Sequence, residues 1–282
     1  MTHHDAPSAT DSHVRSLRLG EHTVTVLTDG GVQLHPLHWF PDSAPDDWSA
    51  PDASPLDSTG HLAAPITALL VEHRDRALLI DTGYGAHSVA AEDTVATIGG
   101  LYGGRLPAEL ARHGREGADI DTVAFTHLHD DHVGWAFGAG PDAPRLFPRA
   151  AFVASAAEWK GQEQRAGEAA TRAVATGDEV FPGVRAWAAP GHTGGHTAYV
   201  ISGGGRRLIA FGDVFHVPDQ FARPDWTCAM DADPRQAVRT RHAMTAELTR
   251  PDTLAFATHF AAGPLGRVRT RRGVPYWDAL EA

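Results

Sequence analysis

The stretch Thr126-His127-Leu128-His129-Asp130-Asp131-His132 packs three imidazoles and two carboxylates into six residues. Neutral imidazole and carboxylate are the donors that suit Zn²⁺ and similar borderline divalent cations. His127 and His129 are two apart at the expected end of a strand, so both side chains point the same way. Asp131 and His132 follow where the chain must turn into a helix. A solvated histidine-rich turn would also fit this stretch alone, but three more residues of the same chemistry recur in one kind of place. Val184 to Ala188 leads through Pro190-Gly191 to His192, Leu208 to Phe211 through Gly212 to Asp213, and Leu254 to Ala257 through Thr258 to His259. Asp81 follows Leu78 to Ile80 in the same manner. Each taken singly reads as a capped turn residue. Together they describe strand-end loops along one rim of a sheet, where binding and catalytic groups concentrate.

The elements that must deliver these groups are legible from pattern. Val24 to Thr28 alternates as a strand and should end in a turn at Asp29-Gly30-Gly31. Pro65 to Glu72 and Arg76 to Ile80 read as a buried hairpin, Leu106 to His113 as a helix, and Thr122 to Thr126 and Ala151 to Ala154 as strands. Ser155 with Glu158 three places on makes a capping box, and the Ala/Glu/Gln/Arg-rich run to Thr176 reads as its helix. Val184 to Ala188, Thr197 to Ile201 and Arg207 to Phe211 are strands. Asp233-Pro234 opens a helix to about Leu248, and Thr253 to Ala257 is a last buried strand. Many strands interleaved with a few helices and no short repeat suggest an α/β chain of two sheets with helices outside. Residues 1–16 read as a flexible tail and 17–282 as a single domain. Within it 34–61, broken by Pro36, Pro41, Pro45, Pro51 and Pro55 and carrying Trp39, Phe40 and Trp48, reads as a flap over a pocket or a dimer contact.

Composition narrows the partners. The chain has 282 residues, 24 Lys+Arg against 35 Asp+Glu, and a net charge of −11 with His neutral. That charge disfavours nucleic acid and a polybasic membrane role. The longest apolar runs, such as Ile66 to Val71, fall far short of the ~20 residues of a membrane span. With one cysteine, Cys228, no intrachain disulfide forms, and the thiol is expected to be structural and remote from the ligands. The N-terminus lacks the plan of a secretory signal, so a cytoplasmic location is expected.

The order His127-x-His129-x-Asp131-His132, then His192, Asp213 and His259, with Asp81-Thr82-Gly83 and Pro190-Gly191-His192-Thr193, resembles the metallo-β-lactamase superfamily with a two-metal site, over about residues 20–270. The resemblance implies an αββα sandwich. It also implies a division of ligands: His127, His129 and His192 on one metal, Asp131, His132 and His259 on the other, Asp213 bridging both, and Asp81 orienting a ligand. The layout Gly212-Asp213-Val214-Phe215-His216 with Gln220 and Asp231-x-Asp233-Pro234 is most similar to the branch of acyl-homoserine lactonases and methyl-parathion-hydrolase-like proteins. Many such lactonases carry a tyrosine three residues after the bridging aspartate; here that position is His216.

The implied cofactor is two divalent cations, zinc first, with manganese, iron or cobalt as alternatives. The implied reaction is attack of a metal-bridging hydroxide on a small neutral ester-type substrate, a lactone being the leading expectation. Asp131 is the expected proton shuttle, and His216 the expected hydrogen-bond partner of the substrate carbonyl or oxyanion, so Asp131, Asp213 and His216 are the expected catalytic residues. The other readings are a thioesterase, aryl esterase or phosphotriesterase, or a cyclase or acyl-release enzyme on the same site. A mononuclear iron sulfur-oxidising enzyme fits less well with a complete second ligand set. A possible homodimer through the aromatic N-terminal segment is suggested by the resemblance alone.

Overall fold

The computed structural model describes residues 13–137, 145–162, 165 and 170–281. Two mixed sheets are present among them. The first contains β1 (Ser16–Leu19), β2 (His22–Leu34), β3 (Leu62–His73), β4 (Arg76–Ile80), β5 (Ser88–Val89), β6 (Ile98–Tyr102), β7 (Thr122–Ala124), β8 (Ala151–Ser155) and β9 (Thr171–Val174). The second runs β10 (Glu179–Phe181), β11 (Val184–Ala188), β12 (Thr197–Gly203), β13 (Arg206–Ala210), β14 (Thr253–Phe256), β15 (Leu265–Arg271) and β16 (Val274–Ala279).

Side chains alternate across each strand, and that alternation builds the layers. In β4, Leu78 and Ile80 enter the core between the sheets, while Ala77 and Leu79 face an outer cluster with Leu106 and Leu110 of the helix Leu106–Arg112. In β13, Leu208 and Ala210 join the inter-sheet core with Tyr199, Ile201, Leu254 and Phe256. Ile209 faces outward onto Met244 and Leu248 of the helix Pro234–Leu248. The result is helix, sheet, sheet, helix. No helix is long and apolar enough to cross a membrane among the described residues.

Register brings the strand ends into line. β4 and β7 are parallel, with Ile80 beside Ala124, so Asp81 and Thr126 leave the first sheet as neighbours. β13 and β14 are parallel, with Ala210 beside Phe256, so Asp213 and His259 leave the second sheet together. β11 and β12 are an antiparallel pair closing at Ala188 and Thr197, and the loop between them carries His192.

Several expectations are corrected. Asp29-Gly30-Gly31 is no turn: β2 continues to Leu34 through a register shift between Thr28 and Gly30. Gly30 is required there because a Cβ would lie 1.8 Å from the Tyr102 carbonyl oxygen. From Ser155 the structure describes a helix at Ala156–Trp159, and Thr171–Val174, expected as the end of a helical run, is a strand, because pairing with β8 outweighs its helix-forming composition. Residues 1–12 of the expected tail lie outside the described residues. Val14 N donates to Leu280 O and Ser16 already belongs to β1. Within 34–61, Phe40 and Trp48 are buried against Trp226, and Trp39 is half-buried.

Asp29 is fully buried and organises the loop beyond Asp81. Its carboxylate accepts from Tyr84 N, Gly85 N, Gly104 N, Leu106 N and Trp135 Nε1. Asp29→Ala strands these donors away from water and should cost about 3–5 kcal/mol. Urea unfolding would show a lowered midpoint at unchanged slope; a loss below about 1 kcal/mol would contradict this role.

Candidate metal centre

Each of the strand-end residues arrives at one point. β7 leads through Phe125 and Thr126 to His127, and the short helix Asp130–Val133 carries Asp131 and His132. His192 comes from the β11–β12 loop, Asp213 from the turn after β13, and His259 from just beyond β14. His127, His132, His192, Asp213 and His259 are all buried, whereas His129 and Asp131 are half-buried and mark the side open to solvent.

Asp213 is the geometric centre. Its Oδ2 lies 3.5 Å from His192 Nε2, 3.9 Å from His127 Nε2 and 3.2 Å from His216 Nε2. Its Oδ1 lies 3.3 Å from His132 Nε2 and 3.2 Å from His259 Nε2. Asp131 Oδ2 stands 3.6 Å from His132 Nε2 and 3.7 Å from His259 Nε2, and His129 Nδ1 is 3.1 Å from His192 Nε2. Donor atoms within 4.8 Å of one another group as His127, His129 and His192; as His127, His132 and Asp213; and as Asp131, His132 and His259. A divalent cation fits this arrangement on a structural ground. His127 Nε2, His132 Nε2 and Asp213 Oδ1 are buried without a hydrogen-bond partner, a costly state for polar atoms unless a further group satisfies them.

The far sides of four of these imidazoles are tied down. His132 Nδ1–H donates to Asp81 Oδ2 at 2.9 Å, His192 Nδ1–H to Asp231 Oδ1 at 3.2 Å, His259 Nδ1–H to Pro65 O at 2.9 Å, and His127 Nδ1–H to Thr126 Oγ1 at 3.1 Å. Occupying Nδ1 fixes the tautomer and leaves the Nε2 lone pair facing inward, the usual device for orienting imidazole ligands. Asp81 also accepts from Thr126 N and Oγ1. These bonds hold it at φ +60°, a backbone conformation unfavourable for a residue with a side chain. Asp231 is anchored by the fully buried Arg241, which also donates to Val214 O and Trp226 O. His196 Nε2 accepts from Asp213 N at 3.0 Å. This approach demands Gly212, at φ +54°, where a Cβ would lie 2.7 Å from His196 Nε2.

The electrostatics follow from burial and crowding. Burial pushes the Asp213 carboxyl up, but His132, His259, His216 and His127 overcome this and hold it well below the usual carboxylate range. Burial drives His127 well down, with His132 adding and Asp213 opposing. His129 is lowered by burial and by His192. Burial likewise takes His216 down to about 4 against the pull of Asp213, and His196 to about 3. For His132 the burial penalty is outweighed by Asp213, Asp131 and Asp81, which raise it well above the ordinary value; Asp213 and Asp131 raise His259 in the same way. The carboxylates therefore call for positive charge, while His127, His129, His196 and His216 stay neutral, with lone pairs available.

Sequence reasoning missed four contributors. His196 lies in the same loop as His192, after a Gly-Gly pair, and could have been noticed as a second histidine at the start of a strand. Arg241 and Cys228 carry no local pattern, and the Asp231-x-Asp233-Pro234 pattern does not point to His192 as the partner of Asp231. Cys228 is not remote: its Sγ is 3.9 Å from His216 Nε2 and it groups with His192 and His216. Phe215 and Phe221 are core residues under the helix Pro234–Leu248. Trp39 and Phe40 do reach the centre, with rings 5.5 and 6.4 Å from that of His216. A more open depression, lined by Arg18, Glu21, Thr23, Glu72 and Arg74, contains none of these groups.

The sequence profile of the metallo-beta-lactamase superfamily matches residues 63–259. An N-acyl homoserine lactonase from Bacillus sp is 29% identical over 156 residues, covering 50% of this chain and 59% of that protein's length. The fold is similar to that of AidC, a dizinc quorum-quenching lactonase solved with a product, at a TM-score of 0.75 and 21% identity over 95% of this chain and 97% of that one. A probable metal-dependent hydrolase from Staphylococcus aureus superposes at 0.80 with 21% identity, over 94% and 99%. The hydrolase AbOPH superposes at 0.77 with 22% identity, over 96% and 98%.

Burial pushes the Cys228 thiol well above its ordinary range, and the side chain is 2% exposed. In the folded protein at about pH 8 it should react negligibly with Ellman's reagent over minutes, then titrate as one thiol per chain after denaturation. Prompt stoichiometric reaction without denaturant would show that the wall behind Asp213 is open.

Proposed function

The chain belongs to the metallo-β-lactamase superfamily, and we propose that it is a dinuclear-metal hydrolase of a small neutral ester-type substrate, a lactone first among them. The observation that carries this reading is the division of the Asp213 carboxylate, with one oxygen toward His127 and His192 and the other toward His132 and His259. In this reading His127, His129 and His192 hold one cation, Asp131, His132 and His259 hold the other, and Asp213 joins them. The nitrogen and oxygen donor set suits zinc. AidC is a dizinc lactonase, and the partial match to an N-acyl homoserine lactonase supports the substrate class.

When bound, such a pair of cations acidifies water to a nucleophile near neutral pH and polarises the oxygen under attack. The chain's own residues do the rest. Asp213 sets the separation of the two donor groups. Asp131, half-buried on the solvent side, is placed to take a proton at a carboxylate oxygen and hand it to the leaving alkoxide. His216 is the proposed donor to the carbonyl oxygen or the oxyanion that develops from it. Held near 4 by burial, its imidazole is neutral at physiological pH and donates from one nitrogen. Trp39 and Phe40 keep water from its ring.

Zinc-loaded protein should open N-acyl homoserine lactones faster than it cleaves matched thioesters or aryl phosphotriesters. Asp213→Ala should lower kcat/KM by about a thousandfold or more, about 4 kcal/mol of transition-state stabilisation. Exclusive turnover of phosphotriesters would move the substrate assignment, and near-normal activity of Asp213→Ala would refute the two-metal reading. Chelation of the metal should also lower thermal stability, by about 2.7 kcal/mol for each site held at a free zinc concentration a hundred times its Kd. An unchanged melting temperature after chelation would contradict it.

A further inference from the structure

We propose that Glu158 is a positioning residue that locks the two loops of the first-cation ligands together, an inference resting on the metal-centre reading above. Glu158 sits in the one-turn helix Ala156–Trp159, whose N-cap Ser155 accepts from Glu158 N through its side chain. In a reciprocal capping box the glutamate would return to the Ser155 backbone. Here its carboxylate turns elsewhere. Oε2 accepts from Leu128 N at 3.0 Å, and Oε1 accepts from Thr193 Oγ1 and from Gly195 N at 3.1 Å.

Those partners are not arbitrary surface groups. Leu128 is the residue between His127 and His129, and Thr193 follows His192. The carboxylate therefore joins the loop after β7 to the loop between β11 and β12, the two segments that supply all three ligands of one proposed cation. The distance of 3.1 Å between His129 Nδ1 and His192 Nε2 depends on how these loops sit against each other. The site is built for the close approach: a Cβ on Gly195 would lie 2.8 Å from Glu158 Oε1 and 2.3 Å from Ser155 Oγ.

The chemistry asks for a carboxylate. Its two oxygens accept only, and charge-assisted bonds to N–H and O–H donors are the stronger kind. Glutamine keeps the volume but has one accepting oxygen. If that oxygen serves Thr193 and Gly195, the amide NH₂ faces the Leu128 N–H, donor against donor. The second ligand set has anchors of its own. His132 is held by Asp81 and His259 by Pro65 O, and the hydrogen bonds of the Glu158 carboxylate reach neither. Loss of Glu158 should thus unbalance the centre, weakening one cation and sparing the other.

The test measures zinc binding to metal-free, full-length protein by competition with a chromophoric chelator, for wild type and Glu158→Gln, with melting temperatures of the metal-free forms. Each is repeated in a His259→Ala background, which isolates the first ligand set. The expected result is a tenfold to hundredfold loss of one zinc affinity in Glu158→Gln. The other affinity should change by less than about threefold, the metal-free melting temperature should hold within about two degrees, and the loss should persist in the His259→Ala background. Unchanged affinities would overturn the role of Glu158. So would an equal loss at both sites with a lowered melting temperature, the mark of a mere structural strut. A wild-type chain that binds fewer than two zinc ions would instead overturn the metal-centre reading, and this inference with it.

Discussion

A carboxylate buried among five imidazoles is the constraint around which the molecule is arranged. Asp213 presents one oxygen to His127, His192 and His216 and the other to His132 and His259. Burying an ionised carboxylate is costly unless neighbouring groups compensate. Here the compensation comes from both sheets at once, because the loops that carry these groups leave the ends of β7, β11, β13 and β14. The parallel pairings of β4 with β7 and of β13 with β14 set the lengths of those loops. A one-residue slip in either would withdraw a side chain from the centre and turn core leucines outward.

Around this centre lies a shell of polar contacts that orients its groups. Asp81 for His132, Asp231 and Arg241 for His192, Pro65 O for His259 and His196 for the Asp213 backbone each fix one direction. Their cost is visible in the positive φ of Asp81 and in a fully buried arginine. A sandwich of apolar layers does not require these features; a rigid array of inward-facing lone pairs does.

Much of this arrangement is legible in the amino-acid sequence. The run His127-x-His129-x-Asp131-His132 and the strand-then-ligand placement of His192, Asp213 and His259 are local signals, and the spatial meeting of those side chains follows their chain positions. The helix Pro234–Leu248 is readable from its Asp-Pro start. What escapes the sequence depends on long-range contact. The run after Ser155 has helix-forming composition, yet Thr171–Val174 is claimed by β8. The Asp29 turn signal is overridden because Gly30 permits β2 to pass beside Tyr102. Glu158 has the spacing of half a capping box, and only the folded chain shows its carboxylate serving two other loops. Cys228 lies beyond any spacing rule and meets His216 through the fold alone.

The proposed centre needs two cations flanking one carboxylate, and anomalous X-ray diffraction at the zinc edge from zinc-loaded crystals tests that most directly. Two anomalous peaks per chain are expected on opposite sides of Asp213, one bounded by His127, His129 and His192 and the other by Asp131, His132 and His259. A single peak, or peaks away from Asp213, would contradict it.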